Sequence, residues 1–252
     1  MNANTNMDEQ WLHGYEGARL RTDIHNGLLT ITLNKPPVNA LDSIAYNEIQ
    51  QIFDSIASSS IISAVHLRAK NRCFCAGQDR RDAPAQSADA EPYLRSAARA
   101  IVAATLCPVP VIASVHSAAI GAGLILASSA DILVIDSTAI LSLPERKFGV
   151  LSGYAHLHRW LGTAAAGAVL TGEPIPVQLL ESHGAILVAH KEIDLQGSKI
   201  AKLVSETEPH ISRAIKLEWM PDRGEIAKSY LDEIEKTINL GAMDFSLPMS
   251  TD

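Results

Sequence analysis

The stretch VHSAAIGAGLILASSADILV, residues 115–134, passes from an apolar strand ending near Ser117, through Gly121, Ala122 and Gly123, into an apolar helix. A second strand signal, DILVIDS at 131–137, follows at once. A strand, tight turn, helix and strand in such close succession read as α/β structure. The helix start offers unpaired N–H groups and a positive dipole end, both of which favour developing negative charge. The competing reading is a turn whose small residues simply let helix and strand pack. The GxG spacing is not a dinucleotide fingerprint, because the third glycine and the acidic residue about 20 positions on are missing in the required arrangement.

Outward from that stretch, GLLTITLN at 27–34, SAVHLRAK at 63–70 and PVIASVHS at 110–117 repeat the aliphatic and β-branched character of strands. Between the first two, Asp42 or Ser43 can cap a helix on which Ile49, Ile52, Phe53 and Ile56 recur at helical spacing. EPYLRSAARAIVAAT at 91–105 predicts a second helix. After residue 150 strand signals fade apart from GAILVAH at 184–190, and helical patterns such as 197–206 and 224–238 dominate. The chain reads as one domain, with an N-terminal extension at 1–16, a strand-rich core at 17–190 and a helical C-terminal region at 191–252. On the last helix Ile226, Tyr230, Ile234 and Ile238 form an apolar stripe expected to pack on neighbouring subunits.

With 252 residues, 47% of them apolar, the chain buries a full core without staples, and its net charge of −7 argues against a nucleic-acid surface or a polybasic membrane patch. An anionic ligand must therefore be met by local cations. Cys73, Cys75 and Cys107 are odd in number and lack CxxC spacing, which reads as reduced thiols of a cytoplasmic protein with no metal site. The polar N-terminus lacks a signal peptide's apolar core, and no apolar run reaches the roughly 20 residues of a membrane span. His156 and His158 lie two apart on a helical stretch, face different sides and make a poor metal pair.

A second small-residue turn lies in RCFCAGQDRRDAP at 72–84, where Ala76 and Gly77 let a ligand approach backbone N–H groups closely. A third element is AILSLPERKFGVLSG at 139–153, with Glu145 among apolar residues. Apolar company raises a carboxyl toward neutrality, as a general base near pH 7 requires. The alternative is a surface glutamate paired with Arg146 or Lys147.

Together these elements resemble the crotonase family, the enoyl-CoA hydratase and isomerase superfamily. LTITLNKPPVNALD resembles its opening strand and loop, FCAGQD its first oxyanion turn, AAIGAGLILA its second and SLPERKFGV its acidic turn, in matching order from about residue 17 to 240. The resemblance implies an α/β fold of repeated ββα units, a helical C-terminal region that builds homotrimers or hexamers, and acyl-CoA thioesters as substrates with no further cofactor. It places the two oxyanion N–H groups on Gln78 and Ala122, and the catalytic base on Glu145. Ala76, Gly77, Gly121, Ile125, His116 and Tyr154 are carried over as substrate-binding positions, although His116 also reads as an ordinary strand-end histidine. Lys35, Val38, Ala40, Arg80 and Arg81 fall on the CoA side.

Hydratases of the family use two glutamates, and here the first position is Ile125. One base with an oxyanion hole is enough to take a proton from C2 of a 3-enoyl thioester and return it at C4, the pattern of the family's isomerases. The chain ends soon after EIEKTINLGAMDFSLP, without the family's usual basic final helix. A short tail also occurs in 6-oxocamphor hydrolase, a CoA-independent β-diketone hydrolase, but its histidine and aspartate would fall at Glu145 and Tyr154. A catalytically silent binding scaffold is the remaining reading.

Overall fold

The computed structural model describes residues 11–83, 87–220 and 222–244. Strands β1 (Leu20–His25) and β2 (Leu28–Leu33) form an antiparallel hairpin, which β3 (Ala64–Ala69), β4 (Val111–Val115), β6 (Ile132–Asp136) and β8 (Ile186–Val188) extend in parallel. The order across this sheet is β1-β2-β3-β4-β6-β8. Strands β5 (Ala118–Ile120) and β7 (Ile140–Ser142) make a second, parallel pair, and Cys75 bridges to Ala119 at its edge. Each strand pair is followed by a helix. After β2 comes α1 (Ser43–Ser58), after residue 75 comes α2 (Ser87–Thr105), after β5 comes α3 (Ala122–Ser128), and after β7 comes α4 (Tyr154–Leu161). This is the expected ββα succession.

Local chemistry accounts for these elements. The β4 residues are all buried, as parallel strands covered on both faces require. In β1 inward Leu20, Thr22 and Ile24 alternate with exposed Arg21, Asp23 and His25. Helix α1 starts where the Asp42 carboxylate accepts the Ala45 N–H at 2.9 Å, and it buries Ala45, Tyr46, Ile49, Ile52, Phe53 and Ile56. Its Glu48 accepts the N–H groups of Ala18, Arg19 and Leu20 at 2.7, 3.1 and 2.8 Å, which anchors the entry to β1.

Helices α5 (Ala164–Thr171), α6 (Val177–Glu181), α7 (Ile193–Ser205), α8 (Pro209–Trp219) and α9 (Arg223–Leu240) complete the described chain. Helix α7 covers the face of the large sheet opposite the main core, over a small cluster that includes Ala64, Ile112, Val134 and Ala201. Buried Asp131, at the start of β6, accepts from Lys216 at 2.8 Å, from Arg223 and from the Val111 N–H at 2.7 Å, and so ties α8 and α9 to the sheet. The apolar stripe of α9 has a different role from the one expected. Tyr230 and Ile234 enter the chain's own core, and Ile238 packs against it, because α9 packs along α2 and α4. Large exposed apolar side chains lie instead at Leu195, Leu203, Leu217 and Trp219 on α7 and α8. No helix among the described residues is long and apolar enough to cross a membrane.

Candidate active site

Three turns meet at one end of the short sheet. The first runs alongside β5, because the Ile120 N–H donates to the Cys75 carbonyl at 3.0 Å and the Cys75 N–H to the Ala118 carbonyl at 3.1 Å. The loop at 35–41 braces it from the other side. The Ala76 N–H donates to Val38 O at 2.9 Å, Leu41 N–H to Gly77 O at 2.8 Å, and Asp79 N–H to Leu41 O at 2.7 Å. Leu41 thus bonds to the residues on either side of Gln78, its parallel bridge partner, and the Gln78 N–H is left on the opposite edge, toward the cavity.

Gly77 has φ of +89°, and a Cβ there would lie 2.8 Å from the Ile120 carbonyl and 3.9 Å from the Ala122 nitrogen. The two glycine-bearing turns therefore touch, with the Gln78 and Ala122 amides on the two facing segments. Gly121, at φ of +54°, sits against the acidic turn so closely that a Cβ would run into Glu145 Oε1. Glycine is required at both positions by backbone angle and by contact.

Glu145 lies on a one-turn 3₁₀ segment, Pro144–Phe148, closed by Gly149 in the left-handed region. Its Oε2 is fully shielded and has no hydrogen-bond partner. Burial pushes its carboxyl up to about 8, only partly opposed by a backbone hydrogen bond within the residue. Arg146, the adjacent cation, turns away and donates to the Thr171 carbonyl at 3.1 Å. Behind the site lie the buried phenols of Tyr46 and Tyr230, raised first by burial and further by neighbouring groups that include the Glu145 charge. A cavity of about 90 Å³ opens onto Ala76, Gly77, Gln78, Gly121 and Glu145, and Arg80 and Phe148 form part of its wall. Such a site can accept a proton at Glu145; of the two expected N–H donors, Gln78 is part of the cavity wall, whereas Ala122 lies on the facing segment and is not.

The other expected positions divide. Ile125 is buried one helical turn beyond Gly121, against Gly153 and near Leu143, and presents no carboxylate. Tyr154 is exposed on α4 with its ring 5.6 Å from His158, outside the cavity wall. His116 lines a different cavity with Asn71 and His190, its Nε2 3.3 Å from the Asn71 carbonyl. Lys35, expected on the CoA side, holds Asp79 at 2.6 Å and Asp42 at 2.8 Å, so its ammonium ties the loop to the first turn. Asp79 also takes Arg81, whose side chain is 83% exposed. Val38 supplies its carbonyl to that turn, and Ala40 is half-buried between its bracing residues. Arg80 alone of the three basic residues faces the cavity, its guanidinium 5.1 Å from the Phe148 ring centroid. Sequence reasoning missed Phe148, Ile120 and Val150 as wall residues; spacing of three from Glu145 on a 3₁₀ turn, which eclipses side chains, is the signal for Phe148. Among the described residues no cluster of three His, Cys, Asp or Glu could hold a metal, and the three cysteines are buried free thiols.

The enoyl-CoA hydratase/isomerase family model matches residues 23–224. A (7aS)-7a-methyl-1,5-dioxo-2,3,5,6,7,7a-hexahydro-1H-indene-carboxyl-CoA hydrolase of Mycobacterium tuberculosis is 28% identical over 198 residues, 75% of this chain and 79% of the relative. The mitochondrial Δ(3,5)-Δ(2,4)-dienoyl-CoA isomerase of Dictyostelium discoideum is 26% identical over 223 residues, 81% of this chain and 76% of the relative. The solved structure of an enoyl-CoA hydratase/isomerase from Xanthobacter autotrophicus Py2 superposes with a TM-score of 0.80 at 23% identity, over 91% of this chain and 90% of that one, a likeness of fold.

Proposed function

The chain belongs to the enoyl-CoA hydratase/isomerase family, the crotonase superfamily, and on that premise we propose that it forms the enolate of an acyl-CoA thioester by isomerase-type proton transfer. Glu145 takes the proton from C2 of a 3-enoyl thioester, the Gln78 and Ala122 N–H groups hold the oxygen that becomes negative, and the proton returns at C4 to give the 2-enoyl thioester. The observation that carries this reading is the Glu145 carboxyl beside Gly121, its Oε2 shielded and without a hydrogen-bond partner, with isoleucine where a second carboxylate would have to stand for hydration. Loss of one oxyanion donor typically costs about 3–4 kcal/mol in the transition state, so two preorganised donors supply a large part of enolate stabilisation. The substrate brings its own CoA and no other cofactor enters the scheme. The assembly is a trimer or a dimer of trimers, which a sedimentation run at micromolar concentration tests; a monomer there refutes it.

Solvent exchange is the direct test of the chemistry, since isomerisation and carbon–carbon bond formation both pass through the enolate. In deuterium oxide the protein should exchange C2 protons of an acyl-CoA, and Glu145→Gln should slow this by about 10²–10⁴-fold. Exchange that survives in Glu145→Gln removes the assigned base. Crotonyl-CoA hydration should stay far below about 10 per second. A second reading is supported by the Mycobacterium tuberculosis hydrolase. Glu145 would activate water to attack a ketone, and the cleaved carbon–carbon bond would leave its electrons on a carbon whose enolate oxygen the two N–H groups hold. Cleavage of a cyclic β-diketone, with no C2 exchange in any thioester, would favour that reading.

A further inference from the structure

The acidic turn is held from two sides. Before it, β7 is fixed by the Gly121 N–H, which donates to the Ser142 carbonyl at 2.9 Å, and by the Ile175 N–H, which donates to the Leu141 carbonyl at 2.7 Å. After it, residues 149–153 belong to no helix or strand, so their backbone polar groups need partners from elsewhere. Helix α9 and the residues that follow it supply several. The Asp244 N–H donates to the Phe148 carbonyl at 3.1 Å. Gly149, at φ of +69°, lies so close to the Ala242 carbonyl that a Cβ would run into it. Thr237 Oγ1 accepts the Leu151 N–H at 2.8 Å, and its own proton goes to the Leu151 carbonyl at 2.9 Å or to the Glu233 carbonyl one turn back at 2.9 Å. Glu233 Oε1 accepts the Ala155 N–H at 3.0 Å in the first turn of α4. A brace thus runs along the chain from Phe148 to Ala155.

Thr237 is fully buried, so water cannot stand in for its hydroxyl at Leu151. Val150, the residue before Leu151, lines the cavity and donates its N–H to the Glu145 carbonyl at 3.1 Å. A shift at Leu151 is therefore passed through one residue to the backbone of the base and to the cavity wall. Glu145 Oε2 has no hydrogen bond to fix it, so the seating of the turn decides where the carboxyl points. We propose that Thr237 is a positioning residue: through Leu151 and Val150 its hydroxyl seats the turn that carries Glu145, and α9 thereby aims the base at C2 of the substrate. The proposal rests on the reading of Glu145 as that base. Thr237 itself lies outside the cavity wall and acts only through the turn.

The experiment follows C2 exchange of 3-hexenoyl-CoA in deuterium oxide by mass spectrometry. Thr237→Val keeps the shape of the side chain but leaves the Leu151 N–H buried without its partner. Misplacing a reacting group by about 1 Å costs on the order of 10²-fold, so kcat should fall by about 10–100-fold while KM stays within about threefold. Thr237→Ser, which returns the hydroxyl, should recover kcat to within about threefold of wild type. A merely structural threonine would lower the urea midpoint of Thr237→Val and leave kcat at the wild-type value. That result overturns the proposal, as does a serine variant no better than the valine one. Thr237→Ala, a better helix former, replaces the valine variant under the same criteria should that protein fail to fold. If the wild-type protein exchanges no C2 proton, the enolate-forming reading fails on its own. Carbon-13 NMR of the Glu145 carboxyl, assigned by its loss in Glu145→Gln, then decides Thr237, because a displaced turn admits water to the carboxyl. A midpoint that drops from about 8 toward 4.5 in Thr237→Val supports the brace, and equal midpoints refute it.

Discussion

Glu145→Gln should change the stability of the protein in a pH-dependent way that reports directly on the buried carboxyl. The folded state holds the Glu145 proton up to about pH 8, whereas an exposed glutamate releases it near 4.5. Between those values the folded chain binds more protons than the unfolded chain, so stability falls as pH rises through this window and levels off above 8. The gap between 4.5 and about 8, at 1.36 kcal/mol per pKa unit, amounts to about 5 kcal/mol if the carboxylate meets no water. The cavity beside Glu145 admits solvent once charge appears, which brings the expected loss to about 2–4 kcal/mol. Glutamine has nearly the shape of the protonated acid and cannot ionise. At pH 5 the variant and wild type should therefore differ by less than about 1 kcal/mol, and by pH 9 the variant should be the more stable by the full 2–4. Urea midpoints at pH 5, 7 and 9 measure this. A difference that stays constant with pH would mean that the carboxylate is already ionised and hydrated at pH 5, and the reasoning about burial would fall.

The same carboxyl sets activity: kcat/KM for C2 exchange should rise with pH and level off past about 8 as Glu145 loses its proton in the free enzyme, and a rise centred near 5 would contradict it. Gly121→Ala should reduce exchange by at least 100-fold with circular dichroism unchanged, because the added methyl meets Glu145 Oε1 at a backbone angle alanine resists; wild-type rates would refute the contact. Asp131→Asn leaves Lys216 and Arg223 buried without a countercharge and should cost about 3–5 kcal/mol in urea denaturation, whereas a loss under 1 would show that α8 and α9 are held by other contacts.

Much of the framework is legible in the sequence because its signals are local. The runs that became β2, β3, β4 and β6 are aliphatic and bounded by turn residues, and α1 carries both its cap and its buried face in consecutive positions. Strand β1 escaped notice since Arg21 and Asp23 on its solvent side break up the apolar signal. Strands β5 and β7, three residues each, are too short to show a period; their pairing with each other and with Cys75 defines them. The basic residues show the limit most clearly. Lys35 meets Asp79 across 44 positions of sequence, and neighbours Arg80 and Arg81 look alike as letters but point to a cavity and to a carboxylate. Only the folded path of the turn separates them.

Ile125 links the base and the reaction. A carboxylate at that position would add a second ionisable group to the pocket and draw in the water that two charged groups require. Among the cavity's lining residues Glu145 is the one carboxyl, and desolvation is the cause of its upward shift. A carboxylate raised this far is a stronger base toward carbon than an ordinary glutamate, and its ionised fraction grows as the pH rises toward about 8. On the proposed reading, isoleucine at 125 goes with enolisation by a single base, and the Gln78 and Ala122 amides would take up the charge that Glu145 displaces onto oxygen.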